Sequence, residues 1–176
     1  MLFTSEQVSN GHPDKICDQI SDAIVTDCLL NDRNSRVAVE CMIKDYDITI
    51  AGEITSSHTP DFKDLAYCVL AGIGLPNIEQ YTVNRLISKQ SPDIALGVDQ
   101  QGAGDQGMMF GYATHETREM LPVPFVLATA ALERLKDSRS PILLPDAKSQ
   151  VTYDYKRKRI DTFLISTQHS KHASLE

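Results

Sequence analysis

The sequence lacks several features that would place it in a common class of protein. Its four cysteines form no Cys-x-x-Cys pair, so neither a zinc site nor a disulfide framework is indicated. A net charge of -7 argues against general nucleic-acid binding, which requires Lys and Arg along the phosphates. The sequence shows no secretory signal pattern, and no apolar run approaches membrane-spanning length. We therefore expect a cytoplasmic protein, in which an anionic ligand would need a local cationic site or a metal.

The hydrophobic pattern predicts an α+β fold built from repeated strand-helix-hairpin units, with a mixed or antiparallel sheet and helices on one face. We assign residues 1–100 to the first unit and residues 101–176 to a second, incomplete unit. The predicted elements are a strand from Leu2 to Val8, a helix from Pro13 to about Leu30, a hairpin from Val37 to Ile54, a helix after Pro60, a strand from Tyr81 to Ile87, a strand from Met108 to Ala113, a helix from Pro124 to Lys136 and a hairpin from Lys148 to Thr167.

The entrance of the first helix, residues 9–15, collects an imidazole, a carboxylate and an ammonium group. Pro13 fits the first helical position, and His12 would then be the N-cap. Asp14 lies in the first turn, where the helix dipole favours negative charge and where unpaired N–H groups attract phosphate. The pattern indicates either an active-site corner or an ordinary capped surface helix.

Two glutamates stand out in the first hairpin. If its loop is centred between Tyr46 and Asp47, Glu40 faces Glu53 across the two strands. Two like charges in that position are unfavourable unless they share a cation or a proton, or unless each has its own positive partner. We interpret the pair as a cation-handling site; a different register that places both carboxylates in water is the alternative.

In the second hairpin, strand alternation places Asp146 and Lys148 on one face. A carboxylate for a metal beside an ammonium group for an oxyanion is typical of phosphate handling, and an exposed ion pair is the alternative. The basic run at 156–159 is interpreted as the solvated tip of this hairpin rather than as a nucleic-acid patch.

A polar, glycine-containing segment from Ser88 to Gly107 has the composition of a functional lid. Its end spells G-x-G-x-x-G at 102–107, but no strand comes before it and no helix follows, so a dinucleotide-binding fingerprint is not supported. Those glycines would instead let the backbone approach a ligand or a neighbouring chain closely.

Five motifs in this order closely resemble the S-adenosylmethionine synthetase family, also called methionine adenosyltransferases. They are Gly11-His12-Pro13-Asp14-Lys15, Lys89-Gln90-Ser91-Pro92-Asp93-Ile94, the segment from Gly102 to Ala113, the segment from Pro145 to Val151, and Ser166-Thr167-Gln168-His169-Ser170. The resemblance covers nearly all of this sequence but only the N-terminal portion of a usual member. It implies transfer of the adenosyl group of ATP to the sulfur of L-methionine, followed by hydrolysis of the triphosphate to phosphate and diphosphate.

The resemblance also implies a role for each matching residue. His12 and Lys148 would be catalytic, and ATP would contact His12, Lys15, Asp105, Asp146 and Lys148. Glu53 and Gln90 would bind methionine, Asp14 would bind Mg²⁺ and Glu40 would bind K⁺. The mobile loop would include Gln90, Ser91, Pro92, Asp93, Ile94, Gly97, Asp99 and Gln100.

Family members work as dimers or dimers of dimers with active sites between subunits, so we expect a homo-oligomer or a complementary C-terminal chain as partner, and neither nucleic acid nor membrane. The glycine-rich segment that clamps the triphosphate in the family is absent from this sequence. We therefore expect the chain alone to be inactive. The alternative is a non-catalytic or split-enzyme subunit that dimerises with a chain supplying the missing half.

Overall fold

The structure, a computed structural model, describes residues 1–93, 102–103, 105–138 and 140–173. It confirms the α+β class. The elements are β1 (Leu2–Val8), α1 (Pro13–Asn31), β2 (Arg36–Lys44), β3 (Asp47–Thr55), α2 (Phe62–Ile73), a 3₁₀ turn (Ile78–Gln80), β4 (Thr82–Ser88), α3 (Val123–Asp137), β5 (Leu143–Asp154) and β6 (Arg159–His169). No helix among the described residues is long and apolar enough to cross a membrane.

The chain divides into two compact units. Unit one contains Met1–Lys15, Ile73–Leu75 and Gly111–Glu176. Its antiparallel sheet has the order β1-β5-β6, and α3 packs against β1 and β5. The hydroxyl of buried Ser149 donates to the Ala128 carbonyl oxygen at 2.7 Å, which fixes β5 to the helix. The first strand of the sequence thus belongs to a sheet formed mainly by the last third.

Unit two contains Ile16–Gly72 and Pro76–Phe110. Its mixed sheet has the order β2-β3-β4, in which β2 and β3 are antiparallel and β3 and β4 are parallel. Buried apolar side chains recur at helical spacing on α1 and α2 and on one face of β3, and one is buried on β2. These side chains are Ile16, Ile20, Ile24, Cys28, Val39, Ile48, Ile50, Ile54, Phe62, Ala66 and Leu70.

The predicted strand from Met108 to Ala113 is wrong. These residues have no regular secondary structure, and the side chains of Met109 and Phe110 are 95% and 87% exposed. An apolar run indicates a strand only where one face is buried, and neither face is buried here. The other predicted helices and strands are confirmed, and the basic run forms the exposed tip between β5 and β6.

Asp32 ties the end of α1 to the segment that follows β3. Its carboxylate accepts hydrogen bonds from the Ser57 N–H at 2.8 Å, the Asn34 N–H at 3.0 Å and the Ser57 hydroxyl at 3.0 Å. These bonds, the one from the Ser57 N–H first, hold the pKa of Asp32 below its usual value. The charged carboxylate therefore stabilises the folded chain.

Replacing Asp32 should weaken the acid sensitivity of the fold. A lowered pKa contributes stability that is present above the unfolded-state value of about 4 and is lost as the pH falls through the folded-state value. We expect urea unfolding at a series of pH values below about 5 to show a shallower loss of free energy for Asp32→Asn than for the parent chain. Asp22→Asn, at an exposed position of α1, is the control; an equal change in both variants would contradict the role of Asp32.

Candidate active site

Ser9 joins the entrance of α1 to the start of β5. Its N–H donates to the Ala147 carbonyl oxygen at 2.9 Å, and its hydroxyl donates to the Pro145 carbonyl oxygen at 2.6 Å. The same hydroxyl accepts the Ala147 N–H at 2.7 Å. The register continues from this point, with Val8 opposite Lys148. Residues 9–15 and 145–148, called here the His12 corner, are therefore held together within unit one although they lie more than 120 residues apart in sequence.

Gly11 makes this close approach possible. It is buried, and a Cβ atom at its position would lie 2.5 Å from the carbonyl carbon of Pro145 and 2.6 Å from the Pro145 carbonyl oxygen. Real Cβ atoms are not found at such distances from backbone atoms. Only glycine therefore fits between the His12 turn and β5 without displacing one of them.

His12 caps α1, as predicted, and this contact defines its tautomer. The Asp14 N–H donates to Nδ1 of His12 at 3.2 Å. The Asp14 carboxylate is 3.9 Å from the same nitrogen, a contact that would require a proton on Nδ1. The first contact requires Nδ1 to be unprotonated, and the second requires it to carry a proton. The first is shorter, so we assign Nδ1 as the acceptor of the backbone N–H. The neutral ring then carries its proton on Nε2, which is left as a hydrogen-bond donor.

The charged members of the His12 corner belong to the same unit as this donor. Lys148 is exposed and Asp146 is half-buried, whereas Ala147 and Ser149 between and beyond them are buried. The pairing of β5 with β6 shifts register between Leu143 and Ala147, where Asp146 lies, so a shared face for Asp146 and Lys148 stays a prediction. The side chain of Asp14 is 88% exposed in the first turn of α1. The corner thus combines an imidazole donor, the ammonium groups of Lys15 and Lys148, and two carboxylates in one unit.

The predicted pairing of Glu40 with Glu53 is wrong. Lys44 pairs with Asp47, so the loop is centred one residue earlier than expected, and Glu40 lies opposite Ala51 while Glu53 lies opposite Ala38. The physical reason is the left-handed conformation of Asp45, which closes a two-residue turn. The two glutamates remain on one face as diagonal neighbours. We call this side of the β2-β3-β4 sheet the glutamate face.

Cys41 lies between Glu40 and Met42 on β2, and its side chain points to the opposite side of the sheet from theirs. Burial raises the pKa of the Cys41 thiol, a hydrogen bond from the Ser21 hydroxyl lowers it, and the charge of Glu40 raises it. The net direction is upward, so the thiol stays protonated at neutral pH. A protonated thiol is a poor nucleophile, which separates this residue from the chemistry of the site.

Gln90 has a partner that sequence reasoning did not identify. The Arg36 Nε–H donates to Oε1 of Gln90 at 2.9 Å, and this contact lies wholly in unit two. Ser9 and Arg36 are two residues beside the candidate site to which the sequence assigned no role. Both act through hydrogen bonds across 54 or more residues, and no local motif signals such a contact.

Several predicted residues cannot be compared with the structure. The loop positions Ile94, Gly97, Asp99 and Gln100, and Gly104 of the glycine-rich segment, lie outside the described residues. Asp105 is exposed, and its carboxylate accepts the Gln106 N–H at 2.7 Å. Its predicted ATP contact stays a prediction.

The donor groups present are compatible with the metals that the resemblance implies. No cluster of three or more His, Cys, Asp or Glu side chains surrounds a common point in the part of the chain that the structure describes. Mg²⁺ is commonly held by one or two carboxylates together with substrate phosphates, so it needs no such cluster. Asp14 and Asp146 fit this requirement. Glu40 is exposed and offers carboxylate oxygens of the kind that hard cations prefer.

Two models of known protein domains match this chain, each over a different part of the sequence. Residues 1–92 match the family model for the N-terminal domain of S-adenosylmethionine synthetase, and residues 100–176 match the model for its central domain. The α+β fold and the His12 corner therefore occur in a chain whose two parts match two domains of one enzyme family. The chain belongs to the S-adenosylmethionine synthetase family.

Proposed function

We propose that this chain binds ATP and L-methionine and contributes to adenosyl transfer between them. In this reaction the methionine sulfur forms a bond to C5′ of ATP, the C5′–O bond breaks, and its electron pair leaves with the triphosphate. The products are S-adenosylmethionine and triphosphate. Water then cleaves the triphosphate to phosphate and diphosphate. The observation that carries the proposal is the His12 corner, in which backbone and Ser9 hydrogen bonds bring an imidazole and the lysine-bearing start of β5 into one junction.

His12 is proposed to assist departure of the leaving oxygen. Because Nδ1 accepts the Asp14 N–H, the Nε2–H is the part of the ring available to a ligand. A hydrogen bond from Nε2 to the oxygen that leaves C5′ gains strength as negative charge develops there. The backbone contact therefore sets both the position and the tautomer of the catalytic ring.

Lys148 is proposed to hold the triphosphate. Lys148 is exposed on β5 and follows Ala147, whose N–H is hydrogen-bonded to the Ser9 hydroxyl. Its backbone is therefore held in place, while its long side chain can adjust to contact the phosphates. Asp146 and Lys15 belong to the same corner and complete the proposed ATP contacts. Mg²⁺ at Asp14 and K⁺ at Glu40 would, when bound, offset the negative charge of the phosphates and carboxylates.

Methionine is proposed to bind at the glutamate face. Glu53 would accept the α-ammonium group, and Gln90 would provide a second contact. Asp105 is proposed as a further ATP contact that reaches a neighbouring subunit. The same face exposes Met42 and Leu86, 64% and 66% accessible, which supports the proposal that a second copy of the chain or a complementary chain packs there.

The test of the proposed ATP site is a change at Lys148 with a matched control. We expect Lys148→Met to weaken binding of MgATP about tenfold, the scale of one charge-assisted phosphate contact. Isothermal titration calorimetry on the parent chain and the variant measures this. Lys156→Met removes an exposed ammonium group from the tip of the β5–β6 hairpin and should leave the affinity unchanged. Equal losses in both variants, or none, would contradict the proposal.

A further inference from the structure

Arg36 lies on the same side of the sheet as Glu53. In the β2–β3 register Arg36 is opposite Thr55 and Ala38 is opposite Glu53. Residues directly opposite each other, and residues two positions apart on one strand, point to the same face. Arg36 is therefore a diagonal neighbour of Glu53 on the glutamate face.

Gln90 reaches this face from β4. Ser88, the last residue of that strand, pairs with Glu53, and Gln90 follows two positions later. The hydrogen bond from the Arg36 Nε–H to Oε1 of Gln90, 2.9 Å long and half-buried, shows that the two side chains meet. Three residues from three different strands or their ends, Arg36, Glu53 and Gln90, thus converge at one end of the sheet.

The bond fixes which end of the Gln90 carboxamide is presented. A guanidinium group can only donate hydrogen bonds, so it must face the carboxamide oxygen. The Nε2 group of Gln90, with its two N–H donors, is then directed away from Arg36. A donor held in this way beside a carboxylate suits an α-amino acid, because the carboxylate of the ligand needs donors and its ammonium group needs an acceptor.

We propose that Arg36 is a positioning residue for recognition of the α-carboxylate of an amino acid. It holds Gln90 so that the Nε2 donors meet the ligand carboxylate, while Glu53 accepts the ammonium group. The inference rests on the proposed function, which places methionine at Glu53 and Gln90, and it adds a residue and a chemical reason for its presence. Arg36 itself need not touch the ligand.

The test compares L-methionine with L-methioninamide, which lacks the carboxylate. Binding of each is followed by ¹H–¹⁵N NMR of the whole chain, with the side-chain amide of Gln90 as the reporter. We expect the parent chain to bind methionine about tenfold more tightly than methioninamide, and Arg36→Gln to reduce this preference to near unity. Arg36→Lys keeps charge and most of the length but lacks the Nε–H, and serves as the second variant if Arg36→Gln fails to fold.

The control and the contrary results separate this inference from the proposed function. Arg33→Gln, at an exposed position in the turn before β2, should leave the preference unchanged. If the parent chain prefers methionine and Arg36→Gln keeps that preference, or loses affinity equally for both ligands, the positioning role is wrong while the methionine site stands. If the parent chain binds neither ligand near Gln90, both the methionine site and the inference are wrong.

Discussion

Gly52→Ala is expected to lower the free energy of unfolding by about 3 kcal/mol. Gly52 has a φ of +145°, and a Cβ there would lie 2.1 Å from the Ala38 carbonyl oxygen in the neighbouring strand. The backbone is strained for any other residue, and the clash is with backbone that cannot rotate away. Because Glu53 is the next residue, β3 can accommodate the methyl group only by moving the proposed methionine acceptor.

Urea unfolding monitored by circular dichroism measures this effect, with Gly72→Ala as the matched control. Gly72 lies within α2, is exposed, and has no atom within 4 Å of the position that a Cβ would occupy. The same substitution there should stabilise the chain by about 0.5 kcal/mol, because alanine loses less entropy in a helix. A change at Gly52 no larger than about 0.5 kcal/mol would show that β2 and β3 are not packed as described.

Gly11→Ala should separate the two halves of the His12 corner. The added methyl group would meet the backbone of Pro145 at 2.5 Å, so the turn must move outward or the Ser9 hydrogen bonds must lengthen. We expect a loss of about 2 kcal/mol in stability and at least about tenfold weaker binding of Mg-tripolyphosphate, measured by calorimetry. The loss of affinity distinguishes this glycine from Gly52, whose substitution should destabilise the chain with a smaller effect on polyphosphate binding by the folded fraction.

Local patterns in the sequence predict most of the helices and strands. Apolar residues at helical spacing identify α1 and α2, Pro13 marks the start of α1, and alternation identifies β2, β3, β5 and β6, because each of these signals is contained within about ten residues. The same reasoning placed His12 at the N-cap, and the Asp14 N–H bond confirms it.

The sequence could not predict which distant segments pair with each other, or in which register. The pairing of β1 with β5 joins residues about 140 positions apart, and nothing local to Leu2–Val8 selects that partner. The register of β2 and β3 depended on one residue, Asp45, adopting a left-handed conformation that its type permits but does not require. The apolar pattern from Met108 to Ala113 misled because its burial depends on what surrounds it.

The candidate site divides in the same way. Its chemistry-bearing residues, among them His12, Asp14 and Lys148, came from motifs, whereas the residues that hold them came only from the fold. Ser9 and Arg36 are ordinary polar residues in sequence. Their importance lies in bonds to Pro145, Ala147 and Gln90, which no periodicity indicates.

The most direct test of the central claim is an NMR titration of the chain with Mg-tripolyphosphate that follows the ring nitrogens of His12 and the Lys148 ammonium group together. In the neutral form of the ring, before ligand is added, the ¹⁵N shifts should show the proton on Nε2 rather than on Nδ1. Both residues should then shift with one common dissociation constant, and the common response should be lost in Gly11→Ala. Shifts confined to the basic tip at 156–159, or a His12 ring protonated on Nδ1 in the neutral form, would contradict the account.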